Sequence, residues 1–517
     1  MDLLLIGAAL AGLYIFYRSR KRKSAIWFDG VILRPEDLAV HARELGKYHR
    51  VETVRTSRGR IIRRLQENFH FITRVYLEAA EDLQEGLQVA PAGEWLLDNY
   101  YLVEEQVKEI LLSVRKSRFR DLPVLCNGHL KGNPRIFAIA LEIISHTDGS
   151  LSEQALHSFI EAYQEEAPLA VGEIWSLSLM VRIALIEKIR HVCALLETTH
   201  KQWRQAELFL ARTKPEKLKE KISALGKLHP AFAEHLLEVM RQNELAGKQV
   251  RDLLADKLLE QDATLEKIVH SEHQAKAAQA TSMGNAISSL KGASTLDWNK
   301  MFEELSLVDQ VLRADAVYGE MDLASRNHYR RRVQALAKKL AISETRVAKL
   351  VIDNAQAAEG NRQRHCGYYL LDKGRQDLFA QAGVKFREGK LSSAGYILIM
   401  AVFSLALAAA AGAVAYPLGT GWALILALLF LIPGSEIIVS LFNRVLAHLR
   451  KPAFMPKLEY RRGIPPEAAA LVVIPALLPD SGRTRELIEH LEVHYLANPG
   501  DNLFFALLGD FKDSSSP

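Results

Sequence analysis

The run AGYILIMAVFSLALAAAAGAVAY, Ala394 to Tyr416, carries no charged residue. The run WALILALLFLIPGSEIIVSLF, Trp422 to Phe442, carries a single acid, Glu436. Between them stands only Pro417-Leu418-Gly419-Thr420-Gly421, uncharged turn chemistry. Each run has about the ~20 residues a helix needs to cross ~30 Å of hydrocarbon. Backbone polar groups in lipid must be satisfied within the segment, so two such runs mean two helices. The gap is too short for a domain. The pattern predicts a transmembrane helical hairpin, 394–416 and 422–442, with both outer ends on one side. A buried core hairpin of a soluble protein is the alternative, and the uncharged lengths exceed those of ordinary core helices.

The flanks predict which side. Lys385, Arg387 and Lys390 precede the first run, and Arg444, Arg450 and Lys451 follow the second. Basic residues gather on the cytoplasmic face of spanning helices, so the bulk of the chain is expected to be cytoplasmic. A further apolar run, Leu3 to Tyr17, is followed at once by Arg18, Arg20, Lys21, Arg22 and Lys23. A cleaved signal peptide has its positive charge ahead of the apolar run, not behind it. The order predicts a short anchor over 3–17 with residue 18 onward inside. At about fifteen residues the run is marginal for spanning, and a peripheral or buried helix stays open.

Length and charge bound the rest. The 517 residues are enough for more than one domain. A net charge of +5 implies no nucleic-acid surface, and no nucleic-acid partner is expected. The three cysteines, Cys126, Cys193 and Cys366, are far apart and lack CxxC spacing, which suits a reducing cytoplasm and indicates no zinc or disulfide framework.

From Trp27 to Lys390 the periodicity is helical. Pro35-Glu36-Asp37 opens a short helix, and Arg58 to Gly86 has one apolar stripe through Ile61, Ile62, Leu65, Phe69, Ile72 and Leu77. Further helices are predicted over Glu94–Ser117, Pro134–His146, Ser152–Glu166 and Val171–Thr198, with Asp148-Gly149 as a turn and Ser152 as an N-cap. Glu207 to Ala280 is helical and charge-laced, a solvated face. Thr281 to Leu296, rich in Ser, Gly, Ala and Thr, reads as a break that divides a helical domain, 27–280, from a second helical segment, 281–390. In that second segment helices are expected over Trp298–Leu312, Asn327–Lys339 and Ser343–Ala357.

After the hairpin the texture changes. Pro452, Pro456, Pro465 and Pro466 mark a linker over 443–466. Ala470-Leu471-Val472-Val473-Ile474-Pro475 reads as a buried parallel strand, Thr484–Leu496 as an amphipathic helix, and Leu503 to Leu508 as a second strand. Strand, helix, strand over 467–517 is the opening unit of a nucleotide-binding α/β sheet, in which ligands bind at the carboxyl ends of strands. Asp510 then stands where a sugar-nucleotide's uridine or ribose could be hydrogen-bonded, or else is a turn acid capping a following helix. One βαβ unit does not bury both faces of a sheet, so more chain is expected beyond it. The fold class is thus mainly α, with the hairpin and the first unit of an incomplete α/β domain.

Catalytic motifs are sparse. The sequence holds no Gly-rich phosphate loop, no HExxH and no GxSxG. His70, His146 and His365 read as isolated packed or surface histidines. Glu94, Glu142 and Glu173 could be imagined as acid-base carboxylates for glycoside chemistry, but helix-surface or capping roles suit them better. No catalytic and no metal-ligating residue is assigned. Glu436 is the acid of interest in the hairpin, because an intramembrane carboxylate usually has a partner. It follows Pro433-Gly434 and lies about two turns before Arg444. The competing role is an interfacial acid reaching headgroup water.

Several ordered blocks resemble the amino-terminal part of the bacterial cyclic β-1,2-glucan synthases. They are Glu94-Trp95-Leu96-Leu97-Asp98-Asn99-Tyr100-Tyr101, Pro134-Arg135 with Phe137-Ala138, His146-Thr147-Asp148, and Glu161-Ala162-Tyr163-Gln164 with Pro168, Gly172-Glu173 and Trp175. Met321-Asp322 with Ser325-Arg326 and Tyr329-Arg330, then Gly367-Tyr368-Tyr369-Leu370, continue the likeness. So do Val472-Val473-Ile474-Pro475, Leu491-Glu492-Val493, Tyr495-Leu496-Ala497-Asn498 and Ala506-Leu507-Leu508-Gly509-Asp510-Phe511.

The resemblance implies a very large, multi-pass protein of the bacterial inner membrane. Its GT-A-like glycosyltransferase would polymerise glucose from UDP-glucose into β-1,2-glucan on the protein itself, and a phosphorylase-like region would trim the chain. The cyclic product would go to the periplasm. By position Asp510 matches the first nucleotide-side acid of that transferase, and Asp513 lies nearby. The complete transferase would need a divalent metal, Mg or Mn, to offset diphosphate charge and a carboxylate base for the attacking hydroxyl. No residue here matches the metal motif, the base or the acceptor-side aromatic motif, so this chain alone is expected to be inactive. Membrane lipid, UDP-glucose and glucan are the implied partners, the last two through the missing carboxy-terminal regions. The alternatives are a non-catalytic membrane adaptor derived from such a synthase, which would end near Pro517, and an unrelated membrane-anchored scaffold.

Overall fold

In the computed structural model the described residues are 27, 30–52, 58–116, 122–214, 217–240, 244–260, 263–385, 393–449, 454–460, 463–511 and 513. The expected anchor over 3–17 lies outside them. The chain is mainly helical and divides into two compact units, Met1–Gln310 and Val311–Pro517.

The first unit is built around α4, Arg135–His146, in which every residue from Arg135 to Ser145 is buried. A helix covered on all sides needs neighbours all round. Its main one is α6, Val171–Arg212. Helices α2, Arg58–Gln84, and α3, Pro91–Lys116, pack against α6 and each other. On another side α1, Pro35–Tyr48, lies on α5, Glu153–Glu166. Gly46 makes that approach close, since a Cβ there would meet Glu166 Cβ at 2.9 Å and the Tyr163 carbonyl at 3.0 Å. A short antiparallel pair joins β1, Val51–Glu52, to β2, Val124–Leu125. As expected, Ser152 caps α5, its hydroxyl accepting from the Ala155 N–H at 3.1 Å.

Several expectations fail here for physical reasons. Helix α6 does not stop at Thr198. Polar residues begin there, but Trp203 and Ala206 stay buried and carry the apolar stripe two turns further. Beyond it α7, Leu218–Ser223, α8, Pro230–Met240, and α9, Glu244–Leu259, enclose a second small core around Phe232, Leu236, Val250 and Leu254. Nor is Thr281–Leu296 a break. It is the second half of α10, Leu265–Thr295, which packs on α3 and α6. Its small residues are spacers for that packing. A Cβ on Gly284 would touch the Trp95 indole at 3.3 Å, and Ser282 and Ser289 are buried, the latter accepting from Leu151 N–H at 2.9 Å. The first unit therefore runs on through α11, Trp298–Leu305, with the division at residue 310 rather than 280. Ser306 separates α11 from α12, Leu307–Leu312, where one helix was expected.

In the second unit α13, Ala316–Gly319, leads to α14, Leu323–Leu340, and α15, Glu344–Ala357. Asp322 and Ser343 cap the latter two, and Ala341 ends α14 with a left-handed φ of 55°. Short helices α16, Cys366–Leu371, and α17, Arg375–Gln381, complete this part. The hairpin follows as α18, Ser393–Ala415, and α19, Thr420–Leu449, joined by a 3₁₀ turn at Tyr416–Leu418. Helix α19 passes through Pro433 and continues beyond the expected end at 442. The stretches 394–414 and 420–448 are long and apolar enough to cross a membrane, yet few of their residues are buried in protein. Core helices would be covered, so lipid is the environment that fits these side chains.

The chain then returns to the helices before the hairpin. Asp322 N–H donates to the Lys457 carbonyl at 3.0 Å, Glu459 N–H to the Glu320 carbonyl at 2.8 Å, and Lys457 N–H to Ser325 Oγ at 2.8 Å. Phe454 stacks on His328 at 4.6 Å between ring centroids. Part of the expected linker is thus held in place. Finally β3, Ala470–Leu478, α20, Ser481–Ala497, and β4, Leu503–Phe511, form a βαβ unit whose strands are parallel, Ala470 opposite Leu503 through Leu478 opposite Phe511.

Candidate functional site

The parallel pair β3–β4 orders the residues singled out at the chain's end. Asp510 does not sit in a turn after the second strand. The ladder continues to Phe511, and Asp510 is an exposed strand residue opposite Leu477. Gly509 permits this, because a Cβ there would collide with the Leu478 side chain. Asp513 lies beyond the strand and is exposed. At the carboxyl end of β3 a cleft opens between strand and helix, lined by Leu478, Asp480, Thr484, Arg485, Ile488 and Phe511. Asp480 caps α20, accepting from Arg483 N–H at 2.8 Å. Asp510 does not line this cleft. Several apolar side chains of the two strands stand open, Leu471, Leu477, Phe504 and Leu508 among them.

Glu436 is exposed on α19. Among the described residues it has no hydrogen-bond or ion-pair partner, and Arg444 does not reach it. His70 is exposed on α2, and Glu94 is an exposed first-turn acid of α3, both as expected.

The other two histidines are not isolated. His146 ends α4 one turn after Glu142, and α1 brings His41 to the same carboxylate. His41 Nε2 lies 3.0 Å and His146 Nε2 3.4 Å from Glu142 Oε2. The two rings meet edge to face at 4.4 Å. Residues before α1 close the far side, where the Val31 carbonyl accepts from His146 Nδ1 at 2.7 Å and Leu33 N–H donates to the His146 carbonyl at 3.0 Å. Burial raises the Glu142 carboxyl, but hydrogen bonds from His146 and His41 outweigh it and hold the group at about 2. The Glu142 hydrogen bond holds His146 above its ordinary value.

Arg135, on the same helix, forms a buried bidentate pair with Glu173, Nε to Oε1 at 2.9 Å. Glu173 also accepts from Ala170 N–H at 2.9 Å, the capping role expected of it. Nearby His49 Nδ1 meets the Tyr163 hydroxyl at 3.0 Å, and burial drops the imidazole to about 4.

In the second unit His365 stands between Asp315 and Tyr329. Its Nδ1 lies 2.7 Å from Asp315 Oδ2 and its Nε2 2.9 Å from the Tyr329 hydroxyl. The same Asp315 oxygen accepts from Cys366 N–H at 2.7 Å, and the other caps α13 through Val317 N–H at 3.0 Å. Every acceptor of Asp315 is used within the protein, and Tyr329 is buried, so this cluster joins α13, α14 and α16 rather than presenting a reactive group.

Sequence reasoning missed His41, Asp315 and Cys366. The Glu142–His146 spacing, i and i+4 on one helix face, was the available signal for the first cluster. His365 next to Cys366 was the signal for the second.

No family model matches this chain. The resemblance carried by the sequence blocks is found in a full comparison. Over 480 residues, 88% of this chain, it is 30% identical to the cyclic beta-(1,2)-glucan synthase NdvB of Rhizobium meliloti (strain 1021). The chain covers 17% of that protein's length.

Proposed function

We propose that this chain is the amino-terminal membrane and platform portion of a cyclic β-1,2-glucan synthase that polymerises glucose from UDP-glucose. The observation that carries the reading is likeness to the Rhizobium protein across 88% of the chain. Two further features support it. The apolar hairpin is followed by a parallel βαβ unit, the order a membrane glycosyltransferase of the GT-A kind would have. The open apolar strands of that unit are what a larger α/β sheet would cover. Asp510 and Asp513 would lie on the nucleotide side of the completed domain, with Mg or Mn bound by residues beyond it.

The same reading places the helical units on the cytoplasmic side of the inner membrane. The contacts of Asp322 and Ser325 with Lys457, and of Glu320 with Glu459, support it, because they hold the chain on either side of the hairpin together. A hairpin with joined outer ends enters and leaves through one face. Taken alone, residues 1–517 would transfer no glucose, since the base and metal motifs have no counterpart in them.

Deletion of the gene from its source organism tests the proposal. Membranes from the parent should form β-1,2-glucan from labelled UDP-glucose, and membranes from the deletion strain should not. Undiminished synthesis without the gene would refute it. Immunoblotting the native product separates this reading from the adaptor: a species far larger than 58.0 kDa supports the synthase. A native product near that mass, with synthesis still dependent on the gene, would favour a separate non-catalytic subunit.

A further inference from the structure

We infer that His41, Glu142 and His146 form a binding site for a divalent transition metal, with Zn²⁺ the best match. A carbonyl oxygen only accepts, so the 2.7 Å contact between His146 Nδ1 and the Val31 carbonyl places a proton on Nδ1. In the neutral ring this leaves a lone pair on Nε2, and Nε2 faces Glu142 Oε2 at 3.4 Å. When the ring is an imidazolium its Nε2 proton donates to Glu142; in the neutral ring the two lone pairs converge on a place that a cation can take instead. His41 directs its own Nε2 at the same oxygen from α1, 3.0 Å away.

The geometry suits a small tetrahedral ion. Ligand atoms about 2.0–2.1 Å from zinc are about 3.3–3.4 Å from one another. The observed separations of 3.0 and 3.4 Å bracket that edge, and all three ligand atoms lie within 4.8 Å of one another. The donor set is two imidazoles and one carboxylate, which suits zinc and its neighbours over the all-oxygen preference of Mg²⁺ and Ca²⁺. The Val31 carbonyl acts as the outer partner that fixes the ring and tautomer of a ligating histidine. Three protein ligands leave a fourth position for water or an exogenous donor on the side of half-exposed His41. A bound ion would lock α1 and the residues before it onto α4.

The competing arrangement is an imidazolium at His146 donating to Glu142 with no ion. Tag-free full-length protein in detergent, stripped with a chelator, should discriminate. Zn²⁺ titration followed by calorimetry and metal analysis should give one equivalent per chain and a higher melting temperature. His146→Ala and His41→Gln should each weaken binding by more than the roughly 10- to 100-fold that loss of an outer partner costs. His70→Ala should leave it intact. If His146→Ala does not fold, half-exposed His41→Gln decides, read by Co²⁺ absorption in the visible range with circular dichroism as the folding control. Wild-type protein that binds no more Zn²⁺ than His41→Gln, or Co²⁺ bands unchanged by His41→Gln, would overturn the inference.

Discussion

At the scale of single residues, Arg135 and Glu173 show how much the first unit relies on a paired charge. Both are buried, and each satisfies the other. Removing one partner strands the other in a medium of low polarity, which typically costs about 3–5 kcal/mol. Glu173→Gln should therefore lower stability by roughly that amount in denaturant unfolding of the first unit. It also loses the charged acceptor for Ala170 N–H, so α6 should fray at its start. His49 makes a prediction of opposite kind, since its surroundings favour the neutral ring. Burial sets its folded value near 4, against 6.5 for the free side chain. Between those values the unfolded chain holds more protons, so stability rises with pH across the window and is lost as pH falls from 6.5 towards 4. His49→Asn should flatten that part of the stability–pH curve, measured by thermal melts at constant ionic strength.

At the scale of elements, the hairpin depends on one close crossing. A Cβ on Gly412 would lie 2.8 Å from the Ala423 carbonyl and 3.0 Å from Ala427 Cβ, so α18 and α19 meet there with no room for a side chain. Small residues let membrane helices approach in this way. Gly412→Leu should force the pair apart, at a cost on the order of 1–3 kcal/mol for overpacking. Gly421→Leu, where the same change meets open space, should be nearly neutral. Thermal melts of the detergent-solubilised protein compare the two. The hairpin itself was legible because uncharged length is a signal that survives without partners. Caps were legible for a similar reason: Ser152 and Ser343 act on N–H groups within three residues, whereas the Asp322 cap lies ahead of the helix expected from Asn327 and was not read. Helix α10 was illegible because Ser282, Gly284 and Ser289 have loop composition, and only packing against Trp95, Asp148 and Leu151 gives them a helical use. The end of β4 was hidden by the same kind of fact, since Gly509 looks like a turn residue until Leu478 is beside it. The His41–Glu142 contact spans 101 residues, and no local pattern announces it.

At the scale of the whole molecule, the decisive question is how the hairpin lies. The two apolar helices are exposed along most of their length, and the segments outside them are bonded through Asp322, Ser325 and Lys457. If the hairpin crosses a bilayer, its tip and its base must face different compartments, with the base on the side of the helices that directly precede it. Cysteine labelling reads this directly. Cys126 is part-exposed, whereas Cys193 and Cys366 are buried, and burial pushes the Cys193 thiol up to about 12 and that of Cys366 well above its ordinary value, so neither should react in the folded protein. Leu418, at the tip, is 75% exposed and can carry a new thiol without disturbing packing. With a membrane-impermeant maleimide applied to spheroplasts, Leu418→Cys should label in sealed cells. Lys385→Cys, at the base, should label only after lysis, as should Cys126. Labelling of all three positions only after lysis would place tip and base in one compartment and leave the hairpin lying within a single leaflet. Labelling of Lys385→Cys and Cys126 in sealed cells, with Leu418→Cys labelled only after lysis, would instead reverse the orientation that the flanking lysines and arginines predict, and with it the proposed cytoplasmic placement.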